Sequence, residues 1–303
     1  MSPLDINFEL YKIFYYAATS GSFSNAAERL YITQSAVSQA IKNLETRLQV
    51  PLFFRKTRHL QLTQEGELLL SHVEQAFRLL KKGEQKLAEL QDLESGTVQI
   101  GVSDTVCKYF LLPYLEQFTQ RYPKIKLKVT NRTSAQIVAI LKNGLIDFGI
   151  LTLPLADKQV VTQELATVED IFVASQRFAA CRARPLSLEE LNRFPLLLLE
   201  KTSATRRNLD EFLTRQGIAV TPEVELESID LLVEFARIGL GIAHVLRESA
   251  QECLNRGELF EVSLVEKMPE RKLGLATLEQ VPLSRSAQQF IRMLLDHGTG
   301  EER

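Results

Sequence analysis

Up to Leu90 the apolar residues recur at steps of three and four, and beyond Ser95-Gly96 they pass into short strand-like runs separated by amphipathic stretches. The segment INFELYKIFYYAAT predicts an opening helix that buries Phe8, Tyr11, Ile13, Phe14 and Ala17 and ends near Gly21. A short helix through Tyr31 follows, with Ser24 as its expected cap, because a hydroxyl can accept from the free N–H groups of a first turn. Thr33 then stands before a run in which Ala36, Val37, Ala40, Ile41, Leu44 and Leu48 form one buried stripe. Only Ile32 and Thr33 separate these helices, and small Ala26 and Ala27 permit close contact, so the pair suits a helix-turn-helix. After Leu52, Phe53 and Phe54, a basic excursion leads to Leu60 and Leu62 in alternation, which predicts two strands joined by a turn.

Thr63 is placed to cap a long helix. In it Leu69, Val73, Ala76, Leu80, Gly83, Leu87 and Leu90 fall at alternating steps of four and three, the seam of a coiled coil. So narrow a stripe predicts a partner helix; a single amphipathic helix packed on its own domain is the competing reading. Gly83 costs about 1 kcal/mol of helix propensity relative to Ala and would mark a bend or a close crossing. Beyond Gly96, TVQIGVS, KIKLKVTN and IDFGILT read as strands, with helices in TVCKYFLLPYLEQFTQRY and AQIVAILKN. EDIFVAS, FPLLLLE, PEVELES and GIAHV, with helices around TRRNLDEFLTRQ and IDLLVEFARIG, repeat the pattern. LFEVSL and KLGLATL are further strands, and SRSAQQFIRMLLDHG is a closing helix. The alternation implies parallel sheet with crossover helices.

The polar face opposite the buried stripe carries Gln34, Ser35, Ser38, Gln39, Lys42 and Asn43, residues able to meet base edges or phosphates. Gln34, Ser35, Ser38 and Gln39 are expected to face bases, and Thr33, Lys42, Arg55, Lys56 and Arg58 to position the sugar-phosphate backbone. An ordinary helical hairpin with a solvated face is the alternative for the helix spacing alone. These residues closely resemble the DNA-binding domain of LysR-type transcriptional regulators. The likeness runs through A-A-x-x-L at Ala26, Ala27 and Leu30, T-Q-x-A-V-S from Thr33 to Ser38, and I-x-x-L-E from Ile41 to Glu45. It continues in L-F-x-R from Leu52 to Arg55 and L-T-x-x-G from Leu62 to Gly66. Ser35 stands where the family often has Pro, which could alter base preference, and Gln49 where it usually has Gly.

The resemblance implies a multidomain fold: an N-terminal winged helix-turn-helix over 1–62, a linker and dimerisation helix over 63–95, and a C-terminal two-lobed α/β effector domain over 96–303, like periplasmic binding proteins. Lobe one is expected over about 96–163 and 268–303, lobe two over about 164–267, with the last helix on lobe one. It also implies subunits paired through Leu69, Val73, Ala76, Leu80, Leu87 and Leu90, as a homodimer or a homotetramer of two such dimers. Double-stranded DNA, a small-molecule effector and RNA polymerase are the implied partners.

Composition narrows the alternatives. The 303 residues exceed what one core usually organises, and 45% hydrophobic residues suffice to bury cores. No apolar run reaches spanning length, and the acids in MSPLDINFELYK oppose an export signal, so a cytoplasmic protein away from membranes is expected. Net charge is −2, but Arg55, Lys56 and Arg58 cluster beside the reading helix, and distribution matters more than the sum. Cys107, Cys181 and Cys253, with His59, His72, His244 and His297, are too scattered for a metal centre, and no cofactor is implied. Ser103, Asp104 and His244 could be written as a triad, but Ser103 lacks the G-x-S-x-G elbow; Gly239-Leu240-Gly241 is too short for dinucleotide binding. An enzyme is not expected.

Several strands end in hydroxyl-bearing turns that open helices. Ser103 with Thr105, Thr133 with Ser134, Thr202 with Ser203 and Thr205, and Ser228 are the expected effector contacts, with Arg206 to neutralise charge. Helix N-termini there would suit an anion, most simply a carboxylate. The plain alternative is that each hydroxyl is only a cap. Ser103, Ser134 and Thr202 match positions the family uses for effector contacts. The function expected is therefore a sequence-specific regulator controlled by a small, anionic effector. The alternatives are a ligand-independent regulator whose lobed domain serves oligomerisation, or a solute-binding protein.

Overall fold

The computed structural model describes residues 6–54, 60–91, 96–279 and 281–298. Two compact units divide the chain between Leu87 and Ala88. The first begins with α1 (Phe8–Ser20), capped by Asn7, whose side chain accepts from the Glu9 N–H at 2.9 Å, and ended by Gly21 at φ 64°. Ile13, Phe14 and Ala17 are buried as expected; Tyr11 is half-buried, and Phe8 remains 49% exposed. Phe8 lies at the edge, its ring 5.4 Å from that of Phe77.

α2 (Phe23–Leu30) is capped by Ser22, which accepts from the Ser24 N–H, and not by Ser24. The cap comes earlier because Phe23 is already helical and its ring packs edge-on to Phe53 at 5.5 Å. Tyr31 closes α2 in the left-handed region, a conformation that costs a non-glycine residue about 1 kcal/mol. α3 (Gln34–Leu48) starts at the expected cap: the Thr33 hydroxyl accepts from the Ala36 N–H at 3.2 Å. Its buried line is Val37, Ile41 and Leu44, with Ala40 and Leu48 partly buried. Ala36 is exposed, because it lies one residue, or about 100°, around the helix from Val37.

Glu45 ties α3 to the next segment by accepting from the Leu52 and Phe53 N–H groups at 2.8 and 3.3 Å. Phe53 and Leu62 bridge antiparallel, and the Phe54 N–H donates to the Gln61 carbonyl at 2.9 Å, so both sides of the wing pair as its alternation predicts. The basic turn Arg55, Lys56, Thr57, Arg58 and His59 lies outside the described residues. α4 (Gln64–Gln91) begins after Thr63, whose buried hydroxyl accepts from the Gly66 N–H and donates to the Pro51 carbonyl. Gly66 is required here: a Cβ would stand 2.2 Å from the Leu52 carbonyl oxygen.

The second unit contains two five-stranded sheets. The first is built from β1 (Gly96–Val102), β2 (Ile125–Asn131), β3 (Phe148–Thr152), β4 (Val160–Val168) and β10 (Arg271–Leu278), in the order β2-β1-β3-β10-β4. α5 (Asp104–Val106) runs through a π-helical turn (Cys107–Leu111) into α6 (Leu112–Arg121), and α7 (Ser134–Lys142) joins β2 to β3. The second sheet has β5 (Asp170–Ser175), β6 (Leu196–Leu199), β7 (Val224–Leu226), β8 (Ile242–Leu246) and β9 (Leu259–Glu261), in the order β7-β6-β8-β5-β9. A 3-10 turn (Gln176–Arg182), α8 (Leu188–Leu191), α9 (Ala204–Arg215), α10 (Ile229–Arg237) and α11 (Arg247–Asn255) complete that lobe. α12 (Arg285–Gly298) closes on the first sheet, with Phe290 4.7 Å from Phe118 and 5.7 Å from Phe148 between ring centres.

The expectation of parallel sheets holds for three strands in each lobe and fails for the others. β10 runs antiparallel to β3 and β4, and β5 runs antiparallel to β8 and β9, because these strands adjoin the crossings between lobes. The expected change of lobe near residue 164 falls inside β4, which stays paired with β10 as far as Val168. Only Glu169 then separates β4 from β5. Apolar burial is continuous through the crossing, from Val98 and Ile100 in β1 through Val168 and Ile171 to Val245 in β8.

His244 in β8 is fully buried, its ring 4.8 Å from Phe172, and its Nε2 finds no partner among the described residues. Burial pushes the imidazole down to about 4; Asp170 opposes this, and Arg271 and Arg206 add to it. A histidine depressed in the folded state weakens folding as pH falls, because the unfolded chain takes up the proton first. Stability should therefore drop between about pH 6.5 and 4, by about 3 kcal/mol at full effect. Urea denaturation across that range should show the drop in the wild type and its loss in His244→Phe; the same slope in both would refute the assignment.

Candidate DNA-reading face and interlobe cleft

Gln34, Ser35, Ser38, Gln39 and Lys42 are all exposed on the face of α3 opposite Val37, Ile41 and Leu44. Thr33 holds the first turn, and its hydroxyl lies 2.9 Å from that of Ser35. Asn43 accepts from Arg47 at 3.4 Å, so it is engaged within the helix. Arg55, Lys56 and Arg58 lie outside the described residues.

The coiled-coil seam divides in two. Val73 is buried, with Leu69 packed beside it, in the core that also holds Phe14 and Leu44. That part is satisfied within the chain, which the spacing alone did not reveal. Ala76 is exposed, as are Leu80 at 52% and Leu87 at 66%; the Leu90 side chain lies outside the described residues. Among the described residues, no atom stands within 4 Å of where a Cβ on Gly83 would be.

A cavity of about 520 Å³ opens between the lobes of the second unit. It lies at the carboxyl ends of β1, β2, β6 and β7, where open α/β sheets characteristically bind ligands. Ser103, Thr105, Thr133, Ser134, Thr202, Ser203 and Thr205 all line it, so hydroxyl-bearing turns from both lobes converge there. The Ser103 and Ser203 side chains do not cap the helices they precede. Thr133 opens α7 in a capping box with Gln136: its side chain faces the Gln136 backbone N–H, and the Gln136 side chain accepts from the Thr133 N–H at 3.2 Å.

Two expected contacts fall elsewhere. Arg206 is only 2% exposed and is spent inside lobe two, donating to Asp210 at 2.8 Å, Glu225 at 2.7 Å and the Leu199 carbonyl at 2.8 Å. Helical phase turns it inward from Thr205's neighbourhood to the β6 and β7 side. Ser228 caps α10 by accepting from the Leu231 N–H at 3.4 Å and does not line the cleft.

The cations that do line the cleft are Arg132 and Arg271. Arg271 is 3% exposed and grips Asp170 with Nε and Nη2, both at 2.7 Å, while Nη1 reaches the Thr152 hydroxyl at 3.3 Å. Thr152, Asn131 and Gln136 add polar groups, and Asp104, Glu200 and Glu227 bring carboxylates to the same space. Arg132 follows the end of β2 and was open to recognition from strand ends. Arg271 had no local signal, since it arrives from the far end of the chain through the second crossing. A further polar link joins the lobes: Lys108 and Tyr109, in the π-helical turn, both bond Asp230 at the start of α10. Burial, with the Asp230 bond, pushes the Tyr109 phenol up to about 12. Among the described residues no cluster of metal-ligating side chains forms, and no helix is long and apolar enough to cross a membrane.

Residues 8–67 match the family described as bacterial regulatory helix-turn-helix protein, lysR family, and residues 91–299 match the LysR substrate binding domain. A probable RuBisCO transcriptional regulator of Nostoc sp. is 29% identical, over 97% of this chain and 89% of its own length. The HTH-type transcriptional activator CmpR of Synechocystis sp. is 30% identical, over 95% of this chain and 94% of its own. In fold, a full-length OxyR variant from Pseudomonas aeruginosa is similar with a TM-score of 0.67 at 20% identity, covering 97% of this chain and 95% of that one. With matches that span both units, the chain belongs to the LysR family of DNA-binding, effector-controlled transcriptional regulators.

Proposed function

We propose that this regulator works in the cytoplasm as a homo-oligomer, reads its operator with the outer face of α3, and responds to a small carboxylate held between the lobes. One observation carries the DNA reading: the helix that buries Val37, Ile41 and Leu44 presents Gln34, Ser35, Ser38, Gln39 and Lys42 together to solvent. Gln34, Ser35, Ser38 and Gln39 read base edges, whereas Lys42, with Arg55, Lys56 and Arg58 of the wing, grips phosphates. Gln39→Ala should change preference at one or two base pairs, with a loss of about 1–3 kcal/mol on the preferred site. Lys42→Ala should weaken all sequences alike and flatten the salt dependence by about one phosphate contact. Binding to an operator library across a salt series separates the two. Equal loss by Gln39→Ala on specific and random DNA would remove its reading role.

The exposed stretch of α4 through Leu80 and Leu87 supports pairing with a second copy, and two such dimers would make a tetramer. RNA polymerase is the next partner in such an assembly at a promoter. Leu80→Asp sets a charge in the apolar seam and should convert dimers to monomers in sedimentation. A monomeric wild type at micromolar concentration would end this reading.

The cleft's hydroxyls, its helix N-termini and the Arg132 guanidinium support an anionic ligand, whereas the charge of Arg271 is already met by Asp170 and this residue serves to hold the cleft's lining in place. Asp104, Glu200 and Glu227 would hold donor groups elsewhere on the same molecule. Binding draws the lobes together and changes the spacing of the reading heads in the oligomer. In calorimetry with a panel of small organic acids, Ser103→Ala and Ser134→Ala should each weaken the acid that binds by about tenfold, the worth of one hydrogen bond to a charged group. Unchanged affinity in both variants would place the ligand elsewhere.

A further inference from the structure

Tyr31 is 96% exposed, more than any other large apolar or aromatic side chain among the described residues. Its backbone is left-handed at φ 55°, where a chain ordinarily sets glycine or asparagine, as it does with Gly21 after α1. Closing α2 does not need the ring, because the cap is made by the Tyr31 backbone N–H, which donates to the Ala27 and Glu28 carbonyls. The phenol has no partner among the described residues. Folding therefore gains nothing from a tyrosine here: the left-handed backbone costs it, and a ring that stays in water, as in the unfolded chain, returns no burial.

The position of this residue supplies a reason. Tyr31 sits in the joint between the two helices, two residues before Thr33, the cap of α3. In a docked helix-turn-helix the second helix lays its first turns on base edges while the first helix crosses the sugar-phosphate backbone, so the joint faces that backbone. We propose that Tyr31 is a positioning residue for DNA, donating its phenolic O–H to a backbone phosphate at the edge of the groove entered by α3. The inference rests on the DNA reading above and adds to it a contact made by a neutral donor. Unlike Lys42, such a donor holds a phosphate without displacing a counterion.

The test uses the full-length protein and a random-sequence duplex of about 40 base pairs, long enough for one helix-turn-helix dimer, with anisotropy read across a salt series. Tyr31→Phe removes the donor and keeps the ring; Tyr31→Asn removes both and suits the left-handed backbone. Both should lower affinity by about tenfold at every salt concentration, the scale of a hydrogen bond to a charged group. The slope of log affinity against log salt should stay at the wild-type value, and Tyr31→Asn should melt at the wild-type temperature or above. Wild-type affinity in Tyr31→Phe overturns the proposal, as does a changed slope in either variant. A lower melting temperature for Tyr31→Asn would show that the ring serves the fold, and would overturn it as well. A wild type that binds no duplex at any salt defeats the DNA reading and this inference together, whereas variants that match a binding wild type defeat the inference alone.

Discussion

Asp170 and Arg271 meet where the chain passes between the lobes in both directions. Asp170 opens β5 just after the outward crossing, and Arg271 opens β10 just after the return. Both are almost completely removed from water, at a desolvation cost of several kcal/mol per ion. Two bonds of 2.7 Å in a fork-to-carboxylate arrangement, with Thr152 as a third acceptor, offset that cost. The net gain of such a pair is small, but either partner alone would be a buried, uncompensated charge, worse by about 3–5 kcal/mol. The pair consequently discriminates among strand arrangements: only one that brings position 170 against position 271 lets both be ionised in the interior. The cleft inherits its floor from this choice, since Arg271 and Thr152 line it.

What could be read in the sequence was governed by distance along the chain. Thr33 as a cap, Glu45 beside the wing and Gly66 under α4 all act within a few turns of their own position, and each described part of the winged helix-turn-helix falls where its motif lies. Ser22 displaced Ser24 because Phe53, thirty positions from Phe23, draws that ring into the core. β4 was not legible, since VVTQELATV alternates only in part and its register comes from β10, more than a hundred positions away. The exchange of Arg206 for Arg271 has the same origin. Arg206 stands beside the hydroxyl turn in sequence, yet helical phase turns it to Asp210 and Glu225, while the crossing delivers Arg271 from elsewhere.

Periodicity likewise finds a face without finding what covers it. The line from Leu69 to Leu90 is continuous in sequence, but Val73 is covered by the chain's own core and Leu80 is not. In the cleft the turns gather hydroxyls and helix N-termini, the features of an anion receptor, yet also three carboxylates. Those carboxylates constrain a ligand as much as the donors do, for a molecule with one negative group and no hydrogen-bond donors would meet repulsion along part of its surface.

The strand order also has a consequence in time. Lobe two is contiguous, with all five of its strands drawn from Asp170 to Glu261. In lobe one, β10 is inserted between β3 and β4, so β4 has no neighbour in its sheet until Arg271–Leu278 exists. On the ribosome, where chains emerge at roughly 5–20 residues per second, the part of the effector unit synthesised first cannot close its sheet until nearly the last. β4 must wait as an open edge, held off from wrong partners, while the later lobe folds ahead of it.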